Sequence, residues 1–176
     1  MGIANSFEPE KLVVGIMYTT PEQYEGALAR LISDYGQPDL ICPEYSFSGF
    51  SVYYDGEMDG QVLKRFVSFR DLVDPSRLSQ IKLHTNDIES DFAVNGDRRV
   101  NIDPCLLSHG KFVMATTKGA SFRVPLENGI YADLSLVYAK KQWNEFFWTY
   151  FDVKSDMIKS FLLEVRKIYR EQRKSK

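Results

Sequence analysis

Residues 11–35 read KLVVGIMYTTPEQYEGALARLISDY, and this stretch decides the architecture. Residues 11–18 form a short, nearly continuous apolar run rich in Val and Ile, the pattern of a central strand buried on both faces. A helix follows at once. Thr20 suits an N-cap, Pro21 the first helical position, and Gln23 completes a Thr-x-x-Gln capping box. Tyr24, Ala27, Leu28, Leu31, Ile32 and Tyr35 then recur three and four apart, and Gly36 with Pro38 stops the helix. The resulting stripe packs the helix on a sheet.

Outward from there, residues 40–47 read as a second strand, 46–60 (SFSGFSVYYDGEMDG) as an aromatic loop containing glycine, and 62–69 as a third strand. Asp74 caps Pro75 to open a second helix, in which Leu78, Ile81, Thr85, Ile88 and Phe92 step along one face before Asn95 and Gly96 end it. Residues 98–103 alternate as a fourth strand, with Val100 and Ile102 on one face and Arg99, Asn101 and Asp103 on the other. This β-α-β-β-α-β order is the split βαβ arrangement of ferredoxin-like folds.

Residues 120–126 and 130–138 flank Glu127-Asn128-Gly129. A two-residue Asn-Gly turn would set Val124 against Asp133. A three-residue loop with Gly129 left-handed instead pairs Leu126 with Ile130, Val124 with Ala132 and Phe122 with Leu134, which keeps apolar residues on one face. Arg123 and Asp133 become cross-strand partners on the other face. Residues 152–173 then form a last helix, with a basic end of Arg166, Lys167, Arg170, Arg173, Lys174 and Lys176 that suits a helix C-terminus better than a nucleic-acid patch. The expectation is one α+β domain over residues 1–176, a ferredoxin-like core extended by a hairpin and a C-terminal helix, with a mainly antiparallel sheet.

The 176 residues, 44% hydrophobic and 26% charged, lie within globular limits and outside the collagen-like, coiled-coil and disordered classes. Two cysteines, Cys42 and Cys105, make neither a disulfide scaffold nor by themselves a zinc site, so a cytoplasmic location is expected. The acidic start lacks the apolar centre of a signal peptide, and no apolar run approaches the ~18 residues of a membrane span. Net charge is −2, but residues 1–60 hold two bases against ten acids while residues 61–176 hold 20 bases against 14 acids.

Several familiar sites are excluded. Residues 105–112 (CLLSHGKF) lack the first glycine and the Ser or Thr of a phosphate loop, and there is no G-x-G-x-x-G, G-x-S-x-G or His-Glu-x-x-His. Only His84 and His109 occur, so a histidine-rich metal centre is excluded, and Cys105 reads as a buried or bystander thiol rather than a nucleophile paired with His109. What remains is polar residues on shared faces. Arg99 and Arg123 suit phosphate or carboxylate, and Asp103 with Asp133 suits a hard cation such as magnesium, against the plainer reading of structural salt bridges. Lys82, Asn86 and Glu89 have the spacing of helix-surface pairing. Thr116, Thr117 and Lys118, after the apolar residues 112–115, read either as a strand-end phosphate contact or as a loop entry, and Tyr53, Tyr54 and Glu57 lie on a loop that either lids a ligand or meets a protein partner.

The segments EPEKLVVGIMY, YYDGEM, IKLHTNDIESDF, RRVNIDPCLL, ATTKG and GIYADLSL follow one another as in a bacterial family of uncharacterised proteins, and the chain resembles that family, domain of unknown function 4416, over nearly its whole length. The resemblance implies a single-domain cytoplasmic protein without an assigned activity. A GTP-binding description carried by some members finds no phosphate loop here. The family's Asn-Ile-Asp-Pro-Gly motif is matched at Asn101, Ile102, Asp103 and Pro104 and broken at Cys105.

Two functions follow as expectations. In the first, the polar sheet face binds a phosphorylated small molecule, nucleotide or RNA end: Arg99, Lys118 and Arg123 hold the anion, Asp103 and Asp133 orient it or a magnesium ion, and Asn101, Glu57 and Tyr54 complete the site. Any hydrolysis would need a carboxylate-held metal to activate water. In the second, the charged face and the Tyr53/Tyr54 loop dock a protein partner or a second copy as a homodimer.

Overall fold

The computed structural model describes residues 2–174. In chain order it contains β1 (Glu10–Tyr18), α1 (Pro21–Tyr35), β2 (Pro38–Ile41), β3 (Tyr45–Ser46), β4 (Leu63–Val73), α2 (Leu78–Asp91), β5 (Val100–Leu107), β6 (Lys111–Thr116), β7 (Val124–Pro125), β8 (Tyr131–Ala139), β9 (Gln142–Glu145), α3 (Phe151–Lys154) and α4 (Asp156–Lys174). The strands make one antiparallel sheet in the order β2-β4-β1-β5-β6-β8-β7, with β3 added to β4 and β9 to β8. Helix α1 carries the chain from β1 to β2 past β4, and α2 carries it from β4 to β5 past β1. These are two interleaved βαβ crossovers.

Every residue of β1 is buried. Leu12, Val14, Ile16 and Tyr18 share a core with Ala27 and Leu31 of α1 and Leu78, Ile81 and Ile88 of α2. Val13, between them, shares the second core with Phe66, Cys105 and Met114 and with Ile158, Phe161, Leu162 and Val165 of α4. Alternation along one strand thus feeds both helical layers, each fully buried aliphatic side chain contributing roughly 1.5–3 kcal/mol. The expected capping box forms at Thr20 and Gln23.

The hairpin keeps the expected register: Val124 pairs with Ala132 and Pro125 with Tyr131, the Leu126 amide donates to the Ile130 carbonyl at 2.8 Å, and Gly129 has φ 75°. Other boundaries moved. The expected second strand divides into β2 and β3, the third runs on to Val73, and the fourth begins at Val100 and continues through Pro104 to Leu107. The apolar run at 112–115 is itself a strand, β6, lying between the fourth strand and the hairpin. The expected final helix breaks at Ser155, whose backbone is extended (φ −65°, ψ 147°), into α3 and α4.

Four of the six basic residues at the chain end are engaged internally. Arg166 lies 3.6 Å from the Tyr138 ring centroid, Lys167 and Lys174 pair with Glu164 and Glu171, and Arg173 pairs with Glu8. Lys176 lies outside the described residues. Among the described residues no helix is long and apolar enough to cross a membrane.

Candidate functional site

The site begins with a proline. β5 pairs with β6 only at Cys105–Met114, Leu106–Val113 and Leu107–Phe112. Two residues before Cys105's neighbour Pro104, the Ile102 amide donates to Glu89 Oε1 at 2.8 Å and the Ile102 carbonyl accepts from Lys82 Nζ at 2.7 Å. Both groups therefore point away from β1. Strand alternation turns the Pro104 nitrogen the same way, and it has no hydrogen to offer β6. The ladder stops there, the strands part, and α2 fills the gap with two side chains seven residues apart, two helical turns on one face.

The cleft so opened is dense in charge, and most of it is matched. Lys64 Nζ donates to Asp152 Oδ2 at 2.8 Å, both side chains being buried, and Tyr45 Oη donates to the same oxygen at 2.9 Å. Arg123 donates from Nε to Asp133 Oδ2 at 2.8 Å, from Nη1 to the Lys118 carbonyl at 2.6 Å and from Nη2 to Tyr150 Oη at 2.8 Å. Arg98 grips Glu57 with Nε at 2.6 Å and Nη2 at 3.1 Å, and its Nη1 donates to Asn101 Oδ1 at 2.9 Å. Lys82 pairs with Glu89 at 3.3 Å. Two groups are held more loosely. Asp103 accepts from Asn101 Nδ2 at 2.9 Å and approaches Lys82 only to 3.6 Å. The exposed Lys118 ammonium makes no ion pair among the described residues; it rests 4.6 Å from the Tyr53 ring centroid and 5.6 Å from that of Tyr54.

These surroundings fix the protonation states. Burial opposes the Lys64 charge, but Asp152 and Asp103 outweigh it and hold the ammonium above its usual range. Burial raises the Glu89 carboxyl, only partly offset by Lys82 and the Ile102 amide. The hydrogen bond from Arg98 lowers Glu57. Burial pushes the Tyr150 phenol up to about 12, so it stays neutral while accepting from Arg123. Burial, reinforced by Asp103, holds the Cys105 thiol well above its usual range, and its side chain lies in the core beneath α4. A thiolate nucleophile is not available there.

Three adjoining cavities meet at Lys118. One of about 180 Å³ is lined by Lys64, Asp103, Thr116, Arg123 and Tyr150, and one of about 200 Å³ by Lys82, Asn86, Glu89, Arg98 and Asn101; Tyr54, Asp103, Thr116 and Lys118 border both. The third, about 340 Å³, is an aromatic groove reaching Phe50, Tyr53, Phe147, Trp148 and Phe151. Its wall, residues 146–151 (FFWTYF), is tied to β8: Thr149 Oγ1 donates to the Ser135 carbonyl at 2.6 Å and accepts the Phe146 amide at 2.9 Å, while Trp148 Nε1 donates to the Leu134 carbonyl at 3.1 Å.

Of the residues singled out in the sequence, Tyr54, Asn101, Asp103, Lys118 and Arg123 come together here. Glu57 stands at the rim in the grip of Arg98. Arg99 turns instead to Asp59 at 3.7 Å, and the neighbouring Arg98 takes the place expected of it. Asp133 is fully buried behind Arg123, with Oδ1 accepting from Ser135 Oγ at 3.0 Å, so it is not open to share magnesium with Asp103. Among the described residues no three His, Cys, Asp or Glu side chains cluster to hold a metal ion. Lys82, Asn86 and Glu89 line the cleft, and the Lys82–Glu89 pair is buried there instead of standing on an exposed helix surface. Lys64, Arg98, Asp152 and the 146–151 wall are parts of the cleft and groove that sequence reasoning passed over; five aromatic residues in six was the available signal for the wall.

An antiparallel sheet between two helical layers, split at an Asn-Ile-Asp-Pro segment to expose a charged cleft, defines an α+β protein with a built pocket at the break. The chain belongs to the family described as Domain of unknown function (DUF4416), whose family model matches residues 8–169. No curated protein and no solved structure matches it. Cys105, standing where the motif has glycine, occupies ordinary strand backbone with its side chain in the core, so neither positive φ nor close ligand approach is required at that position.

Proposed function

We propose that the cleft binds a phosphorylated small molecule, nucleotide or RNA end, with Lys118 holding the anion and Asp103 accepting a hydroxyl of the same ligand. One observation carries this reading: among the described residues, four of the five cations around the cleft are matched to carboxylates, and Lys118, where all three cavities meet, is not. The matched pairs give a fixed scaffold, and its near-balanced charge suits one phosphate better than a polyphosphate. A charge-assisted hydrogen bond at Lys118 adds about 1.5–3 kcal/mol. The interleaved crossovers support a ferredoxin-like core in one domain, and two buried free cysteines fit a cytoplasmic setting.

A thermal-shift titration with ribose 5-phosphate and with nucleoside monophosphates, with and without magnesium, tests the reading. Bound ligand raises the melting temperature, by about 2.7 kcal/mol of added stability at a hundredfold excess over Kd, and Lys118→Ala removes the rise. Absence of any shift overturns the proposal.

A second reading rests on the exposed rings at the groove rim, Tyr53 (67%), Phe147 (82%) and Phe151 (71%), which suit association with a protein or a second copy. Sedimentation velocity over a concentration series decides it: a dimer broken by Phe147→Ser supports association, and a monomer throughout removes the homodimer.

A further inference from the structure

Asp152 lines the aromatic groove yet is only 1% exposed. Its Oδ2 is engaged twice, by Lys64 and Tyr45, while its Oδ1 is buried with no hydrogen-bond partner among the described residues. A buried carboxylate oxygen without a donor is costly and rare, and Asp152 lines an open groove, so a group entering that groove and displacing the side chains over the carboxylate is the donor that would satisfy it. The remainder of that groove is largely apolar and carries the exposed rings of Tyr53, Phe147 and Phe151, while Lys118 stands at its border. The visitor is therefore flat and apolar over most of its surface, carries an N–H on one edge and is anionic at a distance from it. A volume of about 340 Å³ accommodates such a group.

We propose that the aromatic groove is a nucleobase subsite, in which a ring or exocyclic N–H of the base donates to Asp152 Oδ1, the base lies against Tyr53, Phe147 and Phe151, and its phosphate reaches Lys118. This rests on the anion-binding reading of the same cleft and names its ligand class. Stacking on aromatic side chains tolerates every base, so the N–H contact at Asp152 separates a nucleobase from a plain aromatic ring. Only one oxygen is free, so a single donor is read, and the four common bases all carry one.

Isothermal titration with the four ribonucleoside 5′-monophosphates, ribose 5-phosphate and phenyl phosphate tests the assignment on the full chain. At least one mononucleotide is expected to bind roughly tenfold tighter than both ribose 5-phosphate and phenyl phosphate. Replacing the two exposed rings together, Phe147→Ser with Phe151→Ser, removes the advantage over ribose 5-phosphate and leaves the affinity for ribose 5-phosphate itself unchanged. Asp152→Asn, which keeps an acceptor toward Lys64 and turns an amide N–H2 to the groove, removes the advantage over phenyl phosphate; should that variant fail to fold, the wild-type comparison with phenyl phosphate decides. Equal binding of mononucleotides and ribose 5-phosphate overturns the base subsite and leaves the anion site standing. Phenyl phosphate matching the best mononucleotide overturns the Asp152 contact, and binding by none of the probes overturns both readings.

Discussion

Glu89 Oε1 accepts the Ile102 amide at 2.8 Å, so a helix side chain occupies the place that a neighbouring strand takes elsewhere along β5. The same carboxylate balances Lys82, which caps the Ile102 carbonyl. Glu89→Ala strands a buried amide and leaves a buried ammonium with only the more distant Asp103 to balance it, and a loss of about 3 kcal/mol in urea denaturation is expected.

Glu89 also sets a pH dependence. Its carboxyl is raised by burial in the folded protein, so the folded state holds a proton that the unfolded chain has released. The contribution is fully present below the unfolded value of about 4.3 and is lost as pH rises through the raised folded value. Compared with Glu89→Gln, which keeps an acceptor but cannot titrate, the wild type should lose relative stability from about pH 4 upward. A difference between the two that stays constant across that range would contradict the assignment.

Lys64 and Asp152 form the most deeply buried pair of the cleft, 2% and 1% exposed. Lys64→Met leaves the buried Asp152 carboxyl without a cation, at a cost of about 3–5 kcal/mol, whereas combining it with Asp152→Asn recovers part of that loss. Chemical denaturation of the three variants measures the coupling, and strictly additive losses would show that the pair does not act as a unit.

Gly15 lets that lysine lie flat across β1. A Cβ there would stand 3.0 Å from Lys64 Cε and 3.0 Å from Phe66 Cε1. Gly15→Ala therefore displaces two packed side chains, and a destabilisation of about 1–3 kcal/mol is expected by thermal unfolding. An unchanged melting temperature would mean that both neighbours yield without strain.

Much of the fold was legible because local chemistry and tertiary demand agree in it. Thr20 and Gln23 close a capping box that needs no distant partner, and Asn128-Gly129 with the alternation of Leu126, Val124, Ala132 and Leu134 admits one register. The Arg123–Asp133 pair followed from that register. The cleft was less legible because its members depend on neighbours far along the chain. Arg98 and Arg99 are adjacent, and in the irregular backbone before Val100 alternation no longer decides which of them turns inward. Lys64 sits among apolar strand residues and gains its meaning only from Asp152, 88 residues away. Lys82 and Glu89 look like helix-surface charges until Pro104 interrupts the ladder that would otherwise satisfy Ile102.

Lys118 and Arg123 border the same cavity, yet their bonding separates a binding role from a structural one. Arg123 spends all three nitrogens on Asp133, the Lys118 carbonyl and Tyr150, and Asp133 behind it is wholly buried. Arg123→Ala strands that carboxylate and should cost about 3 kcal/mol, and Arg123→Lys recovers little, because one ammonium cannot reproduce a forked three-way contact. Lys118 has no carboxylate partner among the described residues and only ring contacts of 4.6 and 5.6 Å, so Lys118→Ala should leave stability within about 0.5 kcal/mol. The same change should weaken ribose 5-phosphate by about tenfold or more, the worth of one charge-assisted hydrogen bond. Unfolding curves paired with titrations for the three variants read both quantities, and a Lys118→Ala protein as unstable as Arg123→Ala would place Lys118 among the scaffold pairs instead of at the anion.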